Sequence, residues 1–183
     1  WEEIEPVAET FGDLDPMIDG REDVTADGMK FTGYHRLERD LWVTGLQPDS
    51  DAIADKLLAD VKTLRDKAQD PDISGVSVTN GAKALLDEVA TGKITGEEER
   101  YSHTDLWDFY GNLEGTRNAI DVMRPVLAER DPALLASTDK NLTALRNELL
   151  KYRNADGTFK LYTQLTDAEI KALSQKLDVA SGD

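Results

Sequence analysis

His35 and Glu38 stand three residues apart in the run Phe31-Thr-Gly-Tyr-His-Arg-Leu-Glu-Arg-Asp-Leu-Trp42. On a helix of 3.6 residues per turn that spacing turns an imidazole and a carboxylate to the same side. Inward-facing Glu and His side chains of bundle helices hold metal ions in this way, one supplying nitrogen and the other oxygen and negative charge. Phe31, His35, Glu38 and Trp42 follow one another at steps of four, three and four, which predicts one stripe turned toward neighbouring helices, with Glu38 near its middle. A carboxylate in that place is costly unless something pairs with it. Spacing alone leaves two readings open: a ligand pair for a cation, or a core histidine bonded to Glu38 or to an arginine of a neighbouring helix.

A second group lies in Glu97-Glu-Glu-Arg-Tyr-Ser-His-Thr-Asp-Leu-Trp107. Projecting the apolar seam that begins at Leu106 backwards puts Ser102 on its axis, Asp105 and Glu98 close beside it, and His103 and Glu99 toward the flanks. Glu98 and Asp105 would then add carboxylates to a site begun by His35 and Glu38, a mixed nitrogen and oxygen set suited to iron, zinc or copper. Ser102-His-Thr-Asp105 is also a capping pattern, and a cap is the role expected of Ser102, with Asp105 open between the two. Glu2, Glu5 and Glu9, three and four apart, read by themselves as a solvated helix face. Trp107 and Phe109 fit a sugar ring or, more simply, a bundle core.

Several chemistries are absent. With two histidines in the chain and no His-Glu-x-x-His, a His-rich zinc protease site cannot be assembled, and the lack of cysteine removes thiol catalysis, disulfides and zinc fingers. Gly-x-Ser-x-Gly, the phosphate-binding Gly-rich loop and the dinucleotide fingerprint are missing.

The elements that must carry these residues are helical. A helix tail is expected over Trp1 to Thr10, a helix over about Thr25 to Val43, and a third marked by Ile53, Leu57, Val61, Leu64 and Ala68. Asp70 to Val78 reads as a loop, and a short helix over about Asn80 to Thr91 stops at Gly92. The longest element is expected from Ser102 to Glu129, with Leu106, Phe109, Leu113, Thr116, Ile120, Met123 and Leu127 as a bundle seam and a kink or early stop at Pro125. Leu135, Leu142, Leu145, Leu149 and Tyr152 mark the next helix, and the capping box Thr166-Asp-Ala-Glu169 starts the last. The fold class is therefore all-α, a helical bundle in one domain over residues 1–183.

Composition agrees with a water-soluble protein: 39% hydrophobic and 32% charged residues, with no apolar run long enough for a bilayer. A net charge of −16 repels nucleic acid and draws cations. The chain opens on Trp1 with no initiator Met, so a fragment trimmed at its N-terminus is expected, with any export signal upstream.

Gly33-Tyr-His-Arg-Leu-Glu38 is similar to the Gly-x-His-x-x-Glu signature of the imelysin-like family. Three longer runs, Ile4-Glu-Pro-Val-Ala-Glu-Thr-Phe-Gly-Asp-Leu-Asp15, Asn80-Gly-Ala-Lys-Ala-Leu-Leu-Asp-Glu-Val-Ala-Thr-Gly-Lys93 and Gly96-Glu-Glu-Glu-Arg-Tyr-Ser-His-Thr-Asp-Leu-Trp-Asp-Phe109, resemble its EfeO/EfeM iron-uptake branch. The resemblance implies an extracytoplasmic all-helical domain of two packed bundle halves, serving as the metal-binding component of an iron import system. It implies an iron permease and a haem peroxidase as partners, and export to the periplasm or to the cell surface, there with an upstream lipid anchor. Family domains are longer than this chain, so further sequence is expected on both sides. The expected ligands are His35 and Glu38, with Glu5, Glu98 and Asp105 as carboxylates converging from neighbouring helices. The family is also catalogued among metallopeptidases, and some relatives bind alginate. A metallopeptidase and an acidic-polysaccharide binder are thus the alternatives, the first needing about three protein ligands and an open position.

Overall fold

A computed structural model describes residues 1–5, 13–23, 28–69, 74–76, 80–85 and 93–182. Its elements are α1 (Asp15–Ile18), α2 (Gly33–Arg39), a π turn (Asp40–Thr44), α3 (Ser50–Lys67), α4 (Asp105–Arg130), α5 (Pro132–Leu149) and α6 (Asp167–Ser181), with single 3-10 turns at Lys93–Thr95, Leu150–Tyr152 and Tyr162–Gln164. Among the described residues the one strand-like pairing is the isolated bridge between Arg153 and Phe159, so the fold is all-α. No helix among them is long and apolar enough to cross a membrane. The chain divides into two compact units, one of Trp1–Pro6 with Gly75–Asp183, the other of Val7–Ser74.

In the first unit, leucines three and four apart give α4, α5 and α6 each one apolar face. Leu106, Phe109 and Leu113 of α4 meet Leu142, Leu145 and Leu149 of α5 and Leu173 and Leu177 of α6, and Tyr152, Phe159, Tyr162 and Leu165 fill the ends. Each side chain so buried contributes roughly 1.5–3 kcal/mol relative to exposure. The hairpin between α4 and α5 is tight because Asp131 caps α5, accepting from Leu134 N at 2.9 Å, and Pro132 fits a first helical turn. The expected capping box of the last helix forms: Thr166 Oγ1 accepts from Glu169 N at 3.3 Å, and Glu169 Oε2 accepts from Thr166 N at 2.7 Å.

Two expectations about α4 change. It begins at Asp105, three residues later than expected, and it runs through Pro125 to Arg130. Pro125 lies on the exposed side, where water can serve the carbonyl it leaves without a donor.

Trp1 to Ile4 form a turn instead of the tail of a helix, closed by Ile4 N to Trp1 O at 2.8 Å; Glu9 and the rest of that predicted helix, from Pro6 on, lie outside the described residues, as do Gly92 and most of the segment 70–79. Residues 2 and 3 lie in a notch on α4 made by Gly111 and Gly115. A β-carbon on Gly115 would come within 2.3 Å of the Glu3 carbonyl oxygen. Asn112, between the two glycines and fully buried, donates from Nδ2 to Glu2 Oε2 at 2.5 Å and to Glu5 Oε2 at 3.1 Å. Gly115→Ala should therefore leave α4 helical, since Ala favours a helix by about 1 kcal/mol over Gly, yet expel residues 1–5. Hydrogen exchange reads this as a loss of protection at the Ile4 amide with α4 unchanged.

Glu148 on α5 supplies a second test. Lys151 Nζ donates to it at 2.6 Å and Tyr152 Oη at 3.1 Å. The Lys151 bond holds the carboxyl below the ordinary glutamate value in spite of burial. A carboxylate with a lowered pKa in the fold stabilises above its unfolded value, and that contribution disappears as pH falls through the folded value. The melting temperature of the wild type should drop across the acid limb below the ordinary glutamate range, and Glu148→Gln should flatten that limb.

The second unit has a different interior. Leu14, Ile18, Leu57 and Leu64 are buried there, but so are Asp19, His35, Arg36, Glu38, Asp40 and Ser50. An interior this rich in charge does not arise from packing alone, because each ion removed from water costs several kcal/mol unless it is well paired.

Candidate metal centre

Helix α2 is short and starts abruptly. Thr32 is extended and makes no side-chain cap bond, and Gly33 takes a φ of +81°, a left-handed conformation that only glycine adopts cheaply. The expected helix over Thr25 to Val43 therefore begins only at Gly33; residues 28–32 are not helical, and 24–27 lie outside the described residues. Gly33 also sits against α1. A β-carbon there would lie 2.2 Å from the Ile18 carbonyl oxygen and 2.8 Å from that of Met17.

This close approach sets the site. Ile18 is the last residue of α1, and Asp19 is its C-cap. His35, two residues after Gly33, brings Nε2 to 3.3 Å from Asp19 Oδ1. Its other nitrogen, Nδ1, lies 3.2 Å from Glu38 Oε2. His35, Glu38 and Asp19 are all buried, with exposures of 3%, 7% and 8%. The other oxygen of Asp19 is 3.7 Å from Arg21 Nη2. Burial and the charge of Asp19 together push the Tyr34 phenol above its ordinary value.

A neutral imidazole carries one N–H and can donate to one of two flanking carboxylates. At its other edge a lone pair meets a carboxylate oxygen unless a proton or a metal cation comes between them. At either edge of the ring the donor set is one nitrogen and one carboxylate in a nearly dry site, a pair that suits a multiply charged first-row cation, while the opposite carboxylate accepts the N–H of the other ring nitrogen.

The stripe expected to run from Phe31 to Trp42 does not form. Phe31 precedes the helix and lies under the Arg39 guanidinium, 5.0 Å from its ring centre. Trp42 is 57% exposed, because the backbone widens into a π turn at Asp40–Thr44 and the four-residue step from Glu38 is lost. His35 and Glu38 remain together on the inner side. Arg36 turns away from them, its guanidinium bonding Asp40 and Asp49.

The remaining expected ligands belong to the other unit. Glu98 and Asp105 are brought together, but through the backbone: Asp105 Oδ1 accepts from Glu98 N at 3.2 Å and Glu99 N at 3.3 Å. Asp105 is fully buried; burial of the Tyr162 phenol, and then the Asp105 charge beside it, push that phenol up to about 12. Ser102 does not cap α4. The residue before the helix is Thr104, which makes no side-chain cap bond, while Ser102 Oγ donates to Glu99 Oε2 at 3.1 Å. The chain bends here because His103 adopts a φ of +58°, which ends the turn before the helix begins. Glu5 is buried beside Asn112 and not on a solvated face; Glu2 is half-buried and bonds the same amide. Trp107 is part-exposed and packs edge-on against Phe159, and Phe109 is core.

Asp19 is the site residue that spacing misses. It lies 16 positions before His35, and the close approach of Gly33 to Ile18 brings the two segments together. The available signal was Pro16 followed by Gly20, which confines α1 to a single turn and fixes where its last carboxylate falls.

A family model for imelysin, peptidase M75, matches residues 1–181. The iron uptake system component EfeM of Pseudomonas syringae pv. syringae (strain B728a) is 44% identical over 176 residues, covering 94% of this chain and 62% of that protein. The iron uptake system components EfeO of Escherichia coli O157:H7 and of Escherichia coli strain K12 are each 44% identical over 186 residues, covering 100% of this chain and 49% of theirs. The chain thus spans about half the length of the EfeO relatives and somewhat more of EfeM. With the match running over nearly every residue and the Gly33 to Glu38 signature at a buried His and Glu pair, the chain belongs to the imelysin family.

Proposed function

We propose that the chain is the metal-binding part of an iron-uptake system, taking iron as its cargo at His35 and Glu38, with Asp19 accepting the N–H of the other His35 ring nitrogen. The observation that carries this reading is the buried imidazole with a carboxylate at each ring nitrogen, 3.3 and 3.2 Å away. The names of its relatives as iron uptake system components support the same cargo. His35 supplies a nitrogen, the carboxylates supply oxygen and charge, and the net charge of −16 raises the local concentration of cations. On sequence grounds the reading extends to Glu5, Glu98 and Asp105 as further carboxylate ligands, each tested by its own amide substitution.

The role is binding and delivery, not hydrolysis, and it is extracytoplasmic. An iron permease and a haem peroxidase are the proposed partners. Zinc and copper compete for such a donor set, since ligand type alone discriminates weakly within the first-row series. Calorimetric titration with ferric iron, zinc and copper tests the reading on wild type and on His35→Ala. The wild type should bind tightly and the variant should lose affinity; equal affinity in both proteins would defeat it. A peptide library incubated with the zinc-loaded protein should remain uncut.

A further inference from the structure

We infer that Asp40 is a positioning residue for the cation site, holding the helix that carries His35 and Glu38 in the placement where the His35 ring meets Glu38 at one nitrogen and Asp19 at the other. The inference rests on the metal-binding reading above for its functional consequence. Its structural part stands on bonds that never touch the proposed ligands.

Helix α2 has seven residues, well under the roughly 12–15 an isolated helix needs to persist in water. Its position must come from outside. The front is set by Gly33 against the Ile18 carbonyl. The rear is set by Asp40, the residue after α2, whose side chain is fully buried. Asp40 Oδ2 accepts from Ser50 Oγ at 2.7 Å, at the first residue of α3, and from Arg36 Nη1 on α2 itself. Asp40 Oδ1 accepts from Thr44 Oγ1 at 3.1 Å, across the π turn. Arg36 Nη2 goes on to Asp49 Oδ1 at 3.1 Å, just before α3. Ser50 Oγ in turn accepts from Gln47 N at 2.8 Å, so the loop between the π turn and α3 is held by the same hydroxyl.

One carboxylate therefore joins the end of the ligand-bearing helix, the π turn and the start of α3. A buried Arg and Asp pair contributes little net stability compared with apolar side chains of the same volume. What it adds is direction: the four hydrogen bonds among Arg36, Asp40, Thr44, Asp49 and Ser50 fit one rotation of α2 about its axis. The same rotation sets where His35 and Glu38 point. The π turn Asp40–Thr44 begins at this same residue, and the Thr44 bond closes it.

Asp40→Asn is the test variant. It preserves shape and an oxygen acceptor but removes the charge that Arg36 requires. Wild type, Asp40→Asn and His35→Ala, all as the full chain, are titrated with ferric iron and with cupric ion. The two histidine rings are also followed without metal, by nitrogen-15 correlation spectra. Asp40→Asn should stay folded, bind both ions about 10- to 100-fold more weakly, the range found when groups that orient ligands are removed, and shift the His35 ring signals while leaving those of His103 in place. Ser50→Ala, which removes one bond and keeps the Arg36 pair, should give a smaller effect in the same direction and serves if Asp40→Asn unfolds. If folded Asp40→Asn, or Ser50→Ala in its stead, leaves both the affinities and the His35 signals at their wild-type values, the inference is overturned. If wild type binds no metal, or His35→Ala binds as well as wild type, the functional reading fails. The ring signals alone then decide whether Asp40 positions His35.

Discussion

Gly33→Ala is expected to cost the second unit about 2–3 kcal/mol and to weaken iron binding on the order of 100-fold. Two effects combine. A side chain at a φ of +81° is strained wherever it stands, and here the new carbon would also lie 2.2 Å from the Ile18 carbonyl oxygen, closer than any real contact. The oxygen belongs to backbone and cannot rotate aside, so α1 and the start of α2 must separate. His35 and Asp19 sit one on each side of that contact, and a site loosened by about 1 Å can lose two orders of magnitude. Gly28→Ala is the control. Gly28 has a φ of +86° with nothing within 4 Å of a β-carbon, so it pays the backbone cost of about 1–2 kcal/mol and leaves metal affinity unchanged. Melting curves and metal titrations on the two variants separate strain from displacement.

The second large effect concerns stabilisation by the ion. A ligand that binds only the folded state at 100 times its dissociation constant adds about 2.7 kcal/mol, which for a chain of this size raises the melting temperature by roughly 5–10 °C. Wild type should show this rise with ferric iron, and His35→Ala should show almost none. Glu38→Gln and Asp19→Asn should each retain only part of it, since each removes charge but preserves shape. Without metal the order is the same. His35→Ala relieves two buried carboxylates of a shared polar neighbour but also leaves them facing a cavity, so the apo variant should melt below wild type. A variant with an unchanged apo melting point and a full rise on adding iron would place the ion somewhere other than His35.

What was legible in the sequence follows how local the causes are. Helices α5 and α6 were readable because Leu142, Leu145 and Leu149, and then Leu173 and Leu177 behind the Thr166 box, declare their own period and start. The paired burial of His35 and Glu38 was readable for the same reason, being an i, i+3 relation within one helix. The ends of that helix were not. Its start depends on Gly33 meeting α1, and its end on Asp40 reaching Ser50, both of which are tertiary facts. A uniform 3.6-residue period carried past those ends put Phe31 and Trp42 on a stripe they do not share with His35. Asp19 was out of reach because a carboxylate at the end of a four-residue helix has no periodicity to announce it. At Ser102 the local pattern misled: a capping sequence was present, but the left-handed turn at His103 moved the start of α4 beyond it.

The most direct measurement is anomalous diffraction at the iron absorption edge from crystals of the iron-loaded protein. A single strong peak within bonding distance of His35 Nδ1, with a Glu38 oxygen also turned on it and Asp19 still at Nε2, is the result expected. A peak at other acidic groups, with His35 still 3.3 Å from Asp19 and 3.2 Å from Glu38 and no density between them, would contradict it.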